Sequence, residues 1–268
     1  MSLDLLDDGI RHKTPPRSWF RSNGTTRLAA AWFKLAAASA SCIALAGCAG
    51  PLSALDPAGP HAASVARLWW VMLLGAAAIL LLVMALLLRA FVTSGRTRAS
   101  ARLWLLGGGV LFPIATLGAL LAYALVSGER LLAHPGRPEV ARVDVLARQW
   151  RWEASYRLAD GTSARSVGTL HIPAGVPVDL HVASADVIHG FWIPRLGGKI
   201  DAVPGHVNVI RLTADAPGTY QGVCAEFCGS GHAGMDMAVV AHPPGEYAAA
   251  LARLAAGLPV APRTEAAP

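Results

Sequence analysis

The chain has 268 residues, 54% of them hydrophobic, with a net charge of +6 and four cysteines. That is too apolar for an ordinary soluble domain and too short for a chain lying mostly in a membrane, so one water-exposed domain plus a few spans is the composition that fits. The basic excess is local. Residues 1–34 carry six Lys/Arg against three acids and residues 89–102 four arginines with no acid, whereas from Glu139 onward ten Lys/Arg face twelve Asp/Glu. The surplus belongs to targeting and topology, and nucleic-acid binding is set aside.

In chain order, KLAAASASCIALAGC at residues 34–48 has a basic lead-in, an apolar run and then small residues, which predicts a secretory leader over 1–47. Its last four positions, Leu45, Ala46, Gly47 and Cys48, resemble the lipobox of bacterial lipoproteins, implying lipidation at Cys48. An exported N-terminal segment, 48–65, follows. Residues 69–88 (WWVMLLGAAAILLLVMALLL) and 103–126 (LWLLGGGVLFPIATLGALLAYALV) are uncharged runs long enough to span a bilayer, giving a transmembrane hairpin over 66–127. The glycines and Pro113 of the second run would weaken a helix in water but are tolerated in lipid. The connecting loop carries Arg89, Arg96, Arg98 and Arg102, so the positive-inside rule puts it in the cytoplasm and puts both flanking segments outside.

A connector at 134–140 (HPGRPEV) leads to a domain over 138–245. There VDVLARQWRWEASY, PVDLHVAS, HVNVIRLTA and MDMAVVAH, rich in β-branched and aromatic residues, alternate with turn signals such as Asp160-Gly161 and Pro217-Gly218. Short strands at close spacing predict a β-sandwich or barrel. GEYAAALARLAAG then predicts a terminal helix in the 246–268 tail.

The chemistry concentrates in GVCAEFCGSGHAGM, residues 222–235. Two cysteines in an oxidising compartment form a disulfide by default. A disulfide uses neither His232 nor Met235, and zinc gains little from a thioether, whereas copper accepts thiolate, imidazole and thioether together. A mononuclear blue site would use one thiolate. Cys224 and Cys228 supply two, which can each bridge two metals, and each metal then requires its own imidazole. The second histidine has to come from elsewhere in the domain.

These residues, together with DVIHGFWIP at 186–194, KIDAVPGHVN at 199–208 and RQWRW at 148–152, resemble subunit II of haem-copper cytochrome c oxidases across roughly residues 65–245. The resemblance implies a two-helix transmembrane hairpin followed by an all-β cupredoxin-like sandwich with a dinuclear copper centre, CuA. It supplies His189 as the missing imidazole. Carried over, Cys224 and Cys228 bridge both coppers, His189 and Met235 complete one, and His232 with the backbone carbonyl of Glu226 completes the other. The Glu226 carboxylate is implied to bind magnesium shared with subunit I, and Trp150 to be where an electron arrives from cytochrome c. The implied partners are subunit I, subunit III, the cytochrome and the bacterial inner membrane, with the sandwich on the outer face.

Two positions depart from the family. His206 stands where relatives usually have arginine, and the run from Arg102 to Pro113 lacks the acid that many relatives place near the start of the second span. No proton-pathway role is assigned to this chain. No haem-attachment motif occurs, so haem belongs to other chains. His171, His181, His206 and His242 lack soft neighbours at ligand spacing and are expected to be ordinary core or surface residues. The competing readings are a quinol oxidase subunit II, whose relatives lack the copper ligands, and a membrane-anchored copper-binding or delivery protein, against which the two spans argue.

Overall fold

The computed structural model describes residues 48–93, 100–129 and 140–260. The leader, Arg96, Arg98 and all of the connector but Val140 lie outside the described residues.

Two helices form as the apolar runs require. Helix α1 (Pro60–Val92) starts with proline in its first turn, where the missing N–H costs nothing, and extends beyond the uncharged run at both ends. The second helical segment begins with wide π-type turns over Leu103–Leu111 and continues as α2 (Phe112–Glu129). The Phe112 N–H reaches back five residues to the Gly107 carbonyl, and Gly107, Gly108 and Gly109 lie inside this wide stretch. Both helices are long and apolar enough to cross a membrane, and their most apolar stretches are wholly unburied. Such all-round apolar exposure needs a non-aqueous surround.

The segment before α1 is tied to the rest of the chain. The Ala58 N–H donates to the Arg195 carbonyl at 2.7 Å and the Asp215 N–H to the Ala58 carbonyl at 2.9 Å. Arg195 pairs with Asp56 at 3.2 Å. Gly59 lies so close to the Thr213 carbonyl that a Cβ there would sit 2.2 Å from its oxygen.

Ten strands build the remainder. One sheet contains β1 (Ala141–Arg148), β2 (Arg151–Arg157), β3 (Ser163–Val167), β5 (Val178–Ser184) and β8 (Asn208–Leu212), in the order β3-β2-β1-β5-β8. The other contains β4 (Thr169–Pro173), β6 (His189–Trp192), β7 (Ile200–Ala202), β9 (Gly218–Cys224) and β10 (Asp236–His242), in the order β4-β10-β9-β6-β7. Alternation turns one face of several strands inward: on β5, Val178, Leu180 and Val182 are buried while Asp179, His181 and Ala183 are not, whereas β4, β6 and β10 carry consecutive buried residues. Burial of each such side chain contributes about 1.5–3 kcal/mol. The inner faces meet around Tyr156, Leu170, Ile172, Phe191, Ile193 and Val239. This is the expected architecture, two apolar helices followed by an all-β, cupredoxin-like sandwich. The expected terminal helix is α3 (Tyr247–Ala255), which buries Ala250 and Leu251.

Candidate metal centre

The backbone brings distant donors together through the pairing of β6 with β9. Phe191 lies opposite Cys224, and just beyond that rung the Ala225 N–H donates to the Gly190 carbonyl at 2.8 Å. Gly190 is required there, since a Cβ would meet the Ala225 carbonyl carbon and the Glu226 nitrogen at 2.8 Å. The loop from Ala225 to Met235 leaves β9 and returns into β10, closed by the Cys224 N–H donating to the Met235 carbonyl at 2.9 Å. His189 at the head of β6 therefore faces the Cys224–Met235 loop, 35 residues downstream.

The side chains converge. His189 Nδ1 lies 3.1 Å from Met235 Sδ. Cys228 Sγ lies 3.8 Å from Met235 Sδ, 3.7 Å from His232 Nδ1 and 3.8 Å from Cys224 Sγ. The Cys224 thiol donates to the Glu226 carbonyl at 3.3 Å. The donor atoms of His189, Cys224 and Cys228 all lie within 4.8 Å of one another. Both cysteines are free thiols, their sulfurs 3.8 Å apart and unbonded. Donors around one soft metal, bonded at about 2.0–2.3 Å, stand roughly 3–4 Å apart, the range of the four nitrogen–sulfur and sulfur–sulfur separations above, so this set suits copper. His189 pairs with Met235, and His232 and the Glu226 carbonyl lie against the thiols.

His189, Cys224, Cys228 and Met235 are all buried. Burial, reinforced by the neighbouring Cys224, pushes the Cys228 thiol up to about 11. A cation is what such a site needs to release the proton. The far nitrogen of the His189 ring, Nε2, is 2.8 Å from Asp186 Oδ1. Burial pushes the Asp186 carboxyl up, but hydrogen bonds from His189, Gln149 and Val187 prevail and hold it at about 2. Asp186 thus fixes the imidazole with Nδ1 turned toward the sulfurs, the usual way a ligating histidine is oriented.

The turn between β1 and β2 grips the loop from the other side. Gln149 donates its N–H to Asp186 Oδ2 at 2.8 Å and its side-chain amide to the Cys228 carbonyl at 2.9 Å. The Trp150 indole N–H points at that same carbonyl at 3.3 Å. The indole, 43% exposed, lies on Gly231, where a Cβ would meet its Cδ2 at 2.3 Å. Trp152 instead is buried, packing edge-on against His189 and Phe191.

The sequence reading brought together His189, Cys224, Glu226, Cys228, His232 and Met235, and the structure places all six in one cluster with Trp150 beside it. It missed Asp186 and Gln149. Asp186 lies three residues before His189 inside DVIHGFWIP, a spacing that could have flagged it, whereas nothing local marks Gln149 as reaching the loop. The Glu226 carboxylate turns outward, 46% exposed and 3.7 Å from Lys199, which also faces Asp201 at 3.4 Å. Cys48 is partly exposed, and its carbonyl accepts from the Ser53 hydroxyl at 2.6 Å. His206 is exposed, in the turn that follows β7. His171 and His242 are buried on neighbouring strands, ring to ring at 2.9 Å.

Residues 164–242 match the family model described as cytochrome C oxidase subunit II, periplasmic domain. Among curated proteins, the chain is 38% identical over 142 residues to cytochrome c oxidase subunit 2 of Alkalihalophilus pseudofirmus, covering 51% of this chain and 40% of that one. It is 42% identical over 105 residues to cytochrome c oxidase subunit 2 of a Synechocystis species, covering 39% of this chain and 30% of that one. The chain thus spans less than half the length of these relatives. Among solved structures, the periplasmic domain of subunit II of cytochrome oxidase from Bradyrhizobium japonicum is 25% identical, with a TM-score of 0.43, covering 47% of this chain and all of that one.

Proposed function

We propose that this chain, related through its exported domain to subunit II of cytochrome c oxidases, is the electron-accepting subunit of a membrane-bound oxidase that takes electrons from a c-type cytochrome and delivers them to haem in subunit I, where oxygen is reduced to water and protons are pumped. The observation that carries the reading is the convergence of six donor residues, drawn from β6 and the Cys224–Met235 loop, around the buried His189, Cys224, Cys228 and Met235. His189 and Met235 would hold one copper, His232 and the Glu226 carbonyl the other, and Cys224 and Cys228 both. Such a centre supplies one-electron transfer with little nuclear rearrangement, because the charge change is shared over two thiolate-bridged metals.

The remaining residues serve that chemistry. Asp186 locks the His189 tautomer, Gln149 and Gly190 hold the loop against the sheet, and Trp152 and Phe191 keep water from the imidazole. Trp150 offers an exposed indole whose N–H already touches a ligand residue's backbone, which supports it as the point where the electron arrives. The Glu226 carboxylate, turned away from the sulfurs and paired with Lys199, would exchange that partner for magnesium at the face shared with subunit I. Two apolar helices support anchorage in the bacterial inner membrane with the sandwich outside. Lipidation at Cys48, removal of the leader and association with subunit III complete the proposed assembly.

The test is purification of the full-length chain from membranes. Haem-containing subunits should accompany it, and the complex should oxidise reduced cytochrome c, with activity lost in His189→Ala. A chain that purifies without haem and still binds copper would instead be a copper-delivery protein.

A further inference from the structure

Arginine is unevenly placed on the sandwich. The domain as a whole is slightly acidic, yet the outer face of the β3-β2-β1-β5-β8 sheet carries Arg142, Arg148, Arg151, Arg157, Arg165 and Arg211 against Asp144, Glu153 and Asp179. Arg211 is neutralised by both oxygens of Asp179, at 2.6 and 2.7 Å, and Arg142 by Asp144 at 2.7 Å. Arg148 and Arg151 share a single acid, Glu153, at 3.4 and 2.8 Å. Arg157 and Arg165 have no acidic partner among the described residues.

The placement of Arg148 and Arg151 is the most telling. They face each other across the first rung of the hairpin, with the Gln149–Trp150 turn between them. Like charges directly opposite on a ladder are destabilising, so folding alone does not select this pair. Both side chains are about half exposed, and the acid nearest the turn besides Glu153 is Asp186, already engaged with His189, Gln149 and Val187. The turn that carries the indole is thus flanked by two arginines, at the end of a sheet face with three surplus positive charges.

We propose that this arginine-bearing face, centred on Trp150 and flanked by Arg148 and Arg151, is the docking surface for an electron donor whose own docking face is acidic. This rests on the electron-accepting reading and specifies its partner. Complementary charge steers encounter and fixes orientation, and guanidinium forks suit carboxylates in particular. An acidic donor would approach along the sheet and be oriented with its redox group over the indole. A basic donor would meet repulsion at the same place.

The experiment uses the assembled, copper-replete oxidase with two reduced c-type cytochromes, one of low and one of high isoelectric point. The acidic donor should give the higher kcat/KM, falling on the order of tenfold as salt is raised through the range that screens surface charge. Arg148→Glu combined with Arg151→Glu should lower kcat/KM for the acidic donor about tenfold and raise it for the basic one, with copper content and visible spectrum unchanged. The milder pair Arg148→Gln and Arg151→Gln should move both in the same directions by less, and Arg253→Glu on α3 should move neither. A native preference for the basic donor, or charge reversal that leaves both donors unaffected, would overturn the proposal. So would reversal that spares both donors but weakens attachment of the complex to phosphatidylglycerol vesicles, which would assign the face to an anionic bilayer. Absence of turnover with either donor in copper-replete complex would contradict the electron-accepting reading itself, and the docking surface with it.

Discussion

Asp186 shows how one carboxylate can set a metal site from outside it. It accepts from the His189 ring and from two backbone N–H groups, so Asp186→Ala frees the imidazole and leaves those donors unmet. Copper affinity should fall about 10- to 100-fold, the usual cost of losing a group that orients a ligand, and further still in His189→Ala. His206→Ala, at an exposed histidine without soft neighbours in sequence, is the matched control, with metal retained. Titration of each variant against a copper chelator reads the difference, and equal affinities in Asp186→Ala and wild type would remove Asp186 from the site. Gly231→Ala drives a methyl into the indole of Trp150. Turnover with cytochrome c should drop toward that of Trp150→Ala while copper content holds, because the ring is displaced and the ligands are not. At the other histidine pair, burial first and His242 second depress His171 from 6.5 to about 4. The folded state keeps this ring neutral while the unfolded chain protonates it. The stability it contributes is therefore complete above pH 6.5 and is lost as pH falls through about 4. Thermal melts of the metal-free β-sandwich domain should show that fall, and His171→Gln should make it shallower. A melting temperature flat down to pH 4 would remove the pair from the account.

At the scale of elements, the centre depends on a short strand held tightly against a loop. Gly190→Ala would push β6 away from Ala225 and Glu226, costing about 1–3 kcal/mol in overpacking and separating His189 from the thiols. Both chemical stability and copper binding should suffer together. Gly234→Ala, with no atom within 4 Å of the new methyl, should leave both unchanged, and the pair of denaturation curves checks it. The sequence revealed some elements and hid others for physical reasons. PVDLHVAS alternates clearly and became β5, and MDMAVVAH, with its short apolar run, became β10. His189–Trp192 and Ile200–Ala202 are only four and three residues long, too short to carry a period, and are strands only because β9 lies beside one of them and they pair with each other. The parallel pairings of β1 with β5 and β4 with β10 join segments far apart in the chain and have no local signature. The π-type turns at the start of the second span were equally invisible, since its apolar composition alone marks a helix of any winding.

Across the whole molecule, two apolar helices lead into a sandwich that gathers donors from two distant segments. The local spacing of Cys224, Cys228, His232 and Met235 was enough to choose copper over a disulfide and to require a partner histidine. It could not say which one. His189 came from a family resemblance, and only the pairing of β6 with β9 gives it a physical reason. Asp186 and Gln149, which hold the arrangement in place, became apparent only in three dimensions. The central claim is that this arrangement holds two coppers bridged by two thiolates. Its most direct test is the copper content and visible spectrum of the β-sandwich domain, expressed without the two apolar helices and reconstituted with copper. Two coppers per domain and a purple mixed-valence spectrum are expected. A single blue copper, bound zinc, or a Cys224–Cys228 disulfide in protein extracted from membranes would contradict it.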